Sequence, residues 1–482
     1  MRHLQPLRTK AVYQSSLRDK DTNNPFVAGM PPFLEKEEFD LKMGHRHKLP
    51  HDLFQINRID AKEEIDDLKK NYLPLNQAYQ LYEHIYLQMR KYYRQVNPLA
   101  AEARRLQNAL SMSLKTGAPV EQQTANFFDD LCPTILVSGE SGCGKTKTIR
   151  KILSLFSPLI QHEEFAGKPF NNEQIRYLSF DMQASRSKKA LANNFFKELD
   201  RVLGFEASKE FTKGITQVDI LLSAMKLAIH KYSVGIIHID EFQFALNHRK
   251  KSNDVFTAAE LEALFNQVGV PIILSATQDA IDEFSENAAS ADSQTTALQT
   301  VRRVSSVAHI TFWQWKYGST FTNEFFDICF PSSIFCEQFQ IDRKFKIQFL
   351  VYTAGIPDAM VCLAIAFVRN FYDLKVADNT KKISDMYSFL GTVYKVRLKS
   401  WHQTLRVLQR KYSFSDGRNQ TSKEKEFEND AQEVIRSSKR AARTNKRPNI
   451  VASKTERIDE GAEVIDPNSI VADYGKGDCD VL

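Results

Sequence analysis

The stretch GESGCGKTKTIRKIL, Gly139 to Leu153, decides the fold. Gly139, Gly144, Lys145 and Thr146 fit the spacing G-x-x-x-x-G-K-[ST], in which a glycine-rich loop turns successive backbone N–H groups onto a phosphate chain. Glycines at 139, 142 and 144 allow that turn because no Cβ stands in the way. A helix starting near Lys145 adds the positive end of its dipole. Gly139, Glu140, Ser141, Gly142, Cys143, Gly144, Lys145, Thr146 and Lys147 then cradle a nucleotide. Lys145 bridges the β- and γ-phosphates, and the Thr146 hydroxyl holds Mg²⁺. The run PTILVSG enters the loop as a strand, and TKTIRKILSLF leaves it as a helix.

The other half of such a site belongs at the end of a neighbouring strand, and VGIIHIDEF supplies it. Asp240 holds Mg²⁺ through water, and Glu241 polarises the attacking water as general base. His238, inside the apolar run, reads as a core histidine with satisfied nitrogens. VPIILSAT closes the series as a strand and ends in Thr277, a residue for either touching the γ-phosphate or capping the next helix. IRYLSFDM reads as one more strand. KKALANNFFKELDRVLG, ended by Gly204, VDILLSAMKLAIHKY and AAELEALFNQVG read as helices. Strands alternating with helices imply an α/β fold with a parallel sheet. Arg302 and Arg303 come late in this core; they read as a charge for a neighbouring subunit's γ-phosphate, as a solvated pair or as a DNA contact. Cys143 is a small filler of the loop.

Composition narrows the class. With 482 residues, 42% hydrophobic and 26% charged, the chain has room for several domains and a real core. A net charge of +6 permits a polyanionic partner without demanding one. The six cysteines are scattered with no C-x-x-C pair, which argues against a zinc site or a disulfide framework. MRHLQPLRTKAVYQSSLRDK is too polar for a secretory signal, and AMVCLAIAF is far short of the roughly 20 residues that span a membrane. A cytoplasmic protein with no membrane partner is expected.

Beyond the core, residues 1 to about 58 read as an irregular arm whose PFVAGMPPF docks on a partner or packs on its own core. A helical pattern runs from Ile59 to Ser113, and after Tyr317 three or four helices form a small domain. From Ser413 the chain is polar and charged, with a basic run from Arg436 to Arg447, and reads as a disordered tail. The expected domains are 1–125, an arm and helical extension for partner docking; 126–318, the core; 319–412, a helical lid; and 413–482, the tail.

Several stretches resemble one family. AVY followed by NPFVAGMPP, then LPHDLFQ and YYRQVNP, are similar to the N-terminal landmarks of TnsC, the AAA+ regulator of heteromeric transposition, with MuB and TniB as more distant relatives. LSFDMQASRSKKALANNFFKELDRVLG, GIIHIDEFQF and GVPIILSATQDA resemble its core. The resemblance covers roughly residues 11 to 370. It implies an AAA+ P-loop NTPase core with an N-terminal helical extension, a C-terminal helical lid and a disordered tail, binding ATP and Mg²⁺. It also implies a homo-oligomer, a ring or filament that assembles on double-stranded DNA when ATP is bound and comes apart on hydrolysis. That assembly would link a target-selection protein of the TnsD/TniQ type to transposase subunits.

Sequence-independent DNA binding uses cations on phosphates. The loop QASRSKKA offers Ser185, Arg186, Lys188 and Lys189, and a second cluster offers Arg249, Lys250 and Lys251. Each also reads as a solvated helix end. Two other functions stay open: a helicase loader or motor, and a signalling ATPase that binds only proteins.

Overall fold

The computed structural model describes residues 8–14, 18, 21–101, 103, 105, 108, 109, 112, 133–182, 187–213, 218–246, 269–282, 305–335, 341–377, 383 and 385–411. The strands are β1 (Arg8–Lys10), β2 (Thr134–Gly139), β3 (Leu159–Phe165), β4 (Lys168–Ile175), β5 (Tyr177–Asp181), β6 (Ile236–Asp240), β7 (Ile272–Ser275) and β8 (Ala308–Phe312). The helices that matter below are α1 (Pro25–Ala28), α2 (Lys36–Met43), α3 (Arg58–Asp66), α4 (Asn76–Gln95), α5 (Lys145–Ser154), α6 (Lys188–Leu203) and α7 (Val218–Lys231). Five more follow: α8 (Thr320–Cys329), α9 (Arg343–Thr353), α10 (Pro357–Ala377), α11 (Met386–Arg397) and α12 (His402–Lys411).

The chain divides into two units. One holds the described residues up to Met43 and those from Pro74 to Trp313; the other holds Gly44–Leu73 and the described residues from Gln314 onward.

In the first unit, the apolar runs of β2, β6 and β7 are buried along their whole length, as strands covered on both faces must be. They belong to a five-stranded sheet of order β5-β6-β7-β2-β8, in which every neighbouring pair is parallel. The strand that leads into the glycine loop is therefore flanked on both sides, by β7 and by β8. β8 is a correction to the expectation that VPIILSAT is the last strand. Its sequence, AHITF, alternates small or polar with apolar residues and is only partly buried, so it lacks the continuous apolar run of the inner strands.

A second, three-stranded sheet of order β1-β3-β4 was not legible in the sequence. β3 and β4 pair antiparallel through a tight turn at Ala166 (φ 50°) and Gly167 (φ 76°), the left-handed pair that two-residue hairpins favour. β1 adds in parallel to β3. Nor is IRYLSFDM a single strand: β4 ends at Ile175, β5 starts at Tyr177, and Arg176 between them donates its N–H to Pro158 O (2.8 Å) and a guanidinium hydrogen bond to Gly29 O.

The PFVAGMPPF stretch packs on its own chain. Phe26, Val27, Ala28 and Met30 are each only 1% exposed. Asn24 organises the turn: its side-chain oxygen accepts from the N–H groups of Phe26 (3.0 Å) and Val27 (3.3 Å), and its Nδ2 donates to Tyr93 O (2.7 Å) on α4. Asp21, fully buried, receives Arg90 (2.8 Å) and Arg94 (2.7 Å) from the same helix. Tyr13 reaches His162 Nδ1 (2.8 Å) on β3.

The second unit joins Gly44–Leu73 to the C-terminal helices. Phe54 stacks on Tyr372 of α10 (5.8 Å, 9°), Lys62 of α3 pairs with Asp373 (3.3 Å), and Arg369 pairs with Asp66. Phe330, Phe345, Phe349 and Phe367 form its aromatic centre. Among the described residues, no helix is long and apolar enough to cross a membrane.

The Arg94 hydrogen bond above all, with Arg90, pulls the Asp21 carboxyl down to about 2 against the opposing effect of burial. Asp21→Ala should lower unfolding stability by about 2 kcal/mol, because a charge-assisted buried pair is lost. In the parent chain this contribution should be present above the ordinary carboxylate range and fade as pH falls towards 2. Urea titration of both proteins between neutral and acidic pH checks this.

Candidate nucleotide site

The loop between β2 and α5 takes its shape from three glycines with positive φ: Gly139 (144°), Gly142 (82°) and Gly144 (88°). Gly144 N-caps α5 in the left-handed conformation, and its carbonyl accepts from Thr148 N (2.9 Å), which starts the helix. Gly139 lies opposite Phe312 of β8, and a Cβ built there would stand 2.3 Å from the Phe312 carbonyl oxygen. The loop is thus clamped at its first residue by the strand that the sequence did not reveal.

Lys145 folds back over this loop, its Nζ donating to Gly139 O (2.8 Å) and Glu140 O (3.0 Å). Burial pushes its ammonium pKa down, while Glu241, Asp240 and Glu140 lie close enough to favour the charge. Cys143 is 3% exposed, and burial raises its thiol to about 12, so it is an inert filler of the loop.

β6 ends at Asp240, beside β7 and one strand away from the loop's own β2. The Asp240 carboxylate accepts hydrogen bonds from the Ser275 hydroxyl and from Glu241 N (2.9 Å), and Thr146 nearby also favours its charged form. Burial opposes its charge, yet the carboxyl is held below its ordinary range, with the donors around it favouring the charged form. Glu241 follows at φ 54°, a left-handed conformation that is strained for a residue with a side chain, and it is exposed. Its carboxylate accepts from Gln243 Nε2. Thr277 lies half-buried just past β7, and its carbonyl accepts from Ile281 N (3.3 Å).

The fold therefore brings Lys145, Thr146, Asp240 and Glu241 to the same end of one parallel sheet, the end where such sheets bind ligands. Lys188 and Lys189 sit at the start of α6, which is N-capped by Ser187 (Oγ to Ala190 N, 3.1 Å). Ser185, Arg186, Arg249, Lys250, Lys251, Arg302 and Arg303 lie outside the described residues, as does the basic run from Arg436 to Arg447.

Two participants went unread in the sequence. Arg150, on α5, reaches Asp181 (3.1 Å) and lies 3.8 Å from Asp240 Oδ2. Its spacing five residues past Lys145 gave no sign of this. Ser275 did leave a signal: a hydroxyl inside a buried apolar strand must find a partner, and it finds Asp240. Beside them a cavity of about 570 Å³ opens between β5, α5 and α6, lined among others by Arg150, Ser179, Asp181, Asn194 and Lys197.

The sequence matches the family model described as an AAA domain over residues 129–283. The match runs from the approach to β2 through the phosphate loop, β6 and β7, so the four site residues all fall inside it. Among solved structures, the chain is similar to a Walker-type ATPase of Pyrococcus abyssi at 13% identity, covering 72% of this chain and 87% of that one with a TM-score of 0.33. It is also similar to the ORC2 protein of Aeropyrum pernix in its ADP form (12% identity, 69% and 85% covered, TM-score 0.32). A third is AMPPCP-bound DnaA from Aquifex aeolicus (14% identity, 72% and 92% covered, TM-score 0.23). The sequence matches none of the curated proteins.

Gly139→Ala should be severe, since its Cβ would meet a backbone oxygen that cannot move without shifting β8. Backbone strain and the clash together should cost roughly 3 kcal/mol and abolish nucleotide binding. Thermal melting and binding of a fluorescent ATP analogue check both halves.

Proposed function

We propose that the protein is an ATP-switched, DNA-binding regulator of transposition of the TnsC kind. The observation that carries the nucleotide half is that Lys145 and Thr146, at the start of α5, and Asp240 and Glu241, at the end of β6, come to the same end of one parallel sheet. The Thr146 hydroxyl and the Asp240 carboxylate suit a hard divalent cation such as Mg²⁺, which takes one or two protein ligands and fills its shell with phosphate oxygens and water. Among the described residues, no group of three His, Cys, Asp or Glu side chains could cage a metal unaided, which agrees with such a shared site. Bound there, Mg²⁺ would neutralise charge on the phosphates. Lys145, Gly142 and Gly144 hold the phosphate chain; Glu241 takes a proton from the attacking water.

Thr277, and Arg302 or Arg303 of a neighbouring subunit, are the remaining candidates for sensing the γ-phosphate. The assembly half of the proposal rests on the likeness to TnsC in the arm and in SRSKKALANNFFKELDRVLG. ATP-bound subunits oligomerise on duplex DNA, a TnsD/TniQ-type protein chooses the place, and transposase subunits are recruited to it. Hydrolysis ends the mark.

Lys188 and Lys189 support the DNA contact. They stand together in the first turn of α6, where cations oppose the helix dipole and an anion is favoured. An incoming phosphate would add a negative charge at this end of the helix, where the dipole favours it. Ser185, Arg186, Arg249, Lys250 and Lys251 complete the proposed surface.

Two experiments test the two halves. Glu241→Gln should bind ATP and DNA but turn over at least about a hundredfold more slowly and remain on DNA, because the water has lost its base; prompt release from DNA would contradict the role. Lys188→Ala with Lys189→Ala should leave ATP binding unchanged while flattening the slope of log affinity against log salt by about two. An unchanged slope would place the DNA contact elsewhere.

A further inference from the structure

A row of polar side chains runs across β5, β6 and β7 of the main sheet and ends on Asp240. Ser179 Oγ of β5 lies 2.8 Å from His238 Nδ1 of β6. His238 Nε2 lies 3.4 Å from Ser275 Oγ of β7, and the Ser275 hydroxyl donates to Asp240 Oδ1. The register brings them together. Ser179 is paired with His238, and His238 with Ile273. Side chains two residues apart share a sheet face, so Ser275 and Asp240 lie on the same face as His238.

Proton counting fixes the direction of the row. The Ser275 hydroxyl has one proton and gives it to the carboxylate, so towards His238 it can only accept. Nε2 of His238 must then carry the ring proton, and Nδ1 accepts from Ser179. A neutral imidazole has the one donor and one acceptor required. His238 and Ser275 are 0% exposed, and each would be an unpaired buried polar group if its neighbour were removed. Oδ1 of Asp240 also accepts from Glu241 N (2.9 Å), so this oxygen is held by two donors. Oδ2 lies on the side of Arg150.

We infer that Ser275, backed by His238 and Ser179, is a positioning residue that grips Asp240 by Oδ1 and so turns its other oxygen towards the Mg²⁺ of a bound nucleotide. None of the three needs to touch nucleotide or metal. The inference rests on the nucleotide site proposed above, and it adds what keeps one half of that site aimed. A serine and a histidine within the sheet are thus explained together, where Ala and an aliphatic residue would otherwise fill the space without leaving polar atoms to satisfy.

The test is Mg²⁺-dependent binding of a fluorescent ATP analogue to the full chain, titrated from EDTA upward, with thermal melting of each variant alongside. Ser275→Ala should bind the analogue in EDTA like the parent but need about tenfold more Mg²⁺ to reach tight binding, the usual cost of losing a partner behind a metal ligand. Ser275→Cys, which keeps the volume but donates weakly, should share the shift, and Ser275→Thr, which keeps the hydroxyl, should restore the parent curve. Equal Mg²⁺ curves for the parent, Ala and Cys forms would overturn the inference while leaving the nucleotide site standing. Equal losses with and without Mg²⁺ would also overturn it, since that is the signature of a purely structural role. A parent chain that binds no nucleotide at all would remove both readings.

Discussion

Everything in the candidate site hangs from the pairing of β2 with β7 on one side and β8 on the other. The β8 pairing sets the Phe312 carbonyl against Gly139, where only a glycine fits, and the phosphate loop starts from that fixed point. The β7 pairing sets Ser275 opposite Val137, and β7 in turn holds β6, whose last residue is Asp240. A slip of one residue in either pairing would turn these side chains to the wrong face. The site is therefore a property of the sheet's register more than of any loop.

That dependence explains where the structure tolerates cost. Buried strands normally avoid polar side chains, yet this sheet carries Ser179, His238, Ser275 and Asp240 along one face, each satisfied by the next. The same logic holds at the arm, where buried Asp21 and Asn24 are matched by Arg90, Arg94 and the backbone of α4. Glu241 is held in a left-handed conformation directly after Asp240, strain of the sort that persists where surrounding structure over-determines it.

The parts legible in the sequence were those written in contiguous residues. The phosphate loop is a local motif, β2, β6 and β7 are unbroken apolar runs, and Gly204 does close α6 in the left-handed conformation its position suggested. What escaped was written across the chain. β1 has meaning only beside β3, the hairpin of β3 and β4 is rich in polar residues, and β8 is half exposed. The grip of Ser275 on Asp240 joins residues 35 positions apart, so spacing within either strand could not reveal it. Likewise Gly44–Leu73 packs with helices that begin after Gln314, an association carried by Phe54, Lys62 and Asp66 and by no periodicity.

In the proposed function the nucleotide is a switch for binding DNA. Its most direct test is fluorescence anisotropy of a labelled duplex with no nucleotide, ADP, ATP or a non-hydrolysable triphosphate, with Lys145→Ala as the control. Tight binding should appear only with the two triphosphates and be lost in the variant. Binding that ignores the nucleotide, or no binding under any condition, would contradict it.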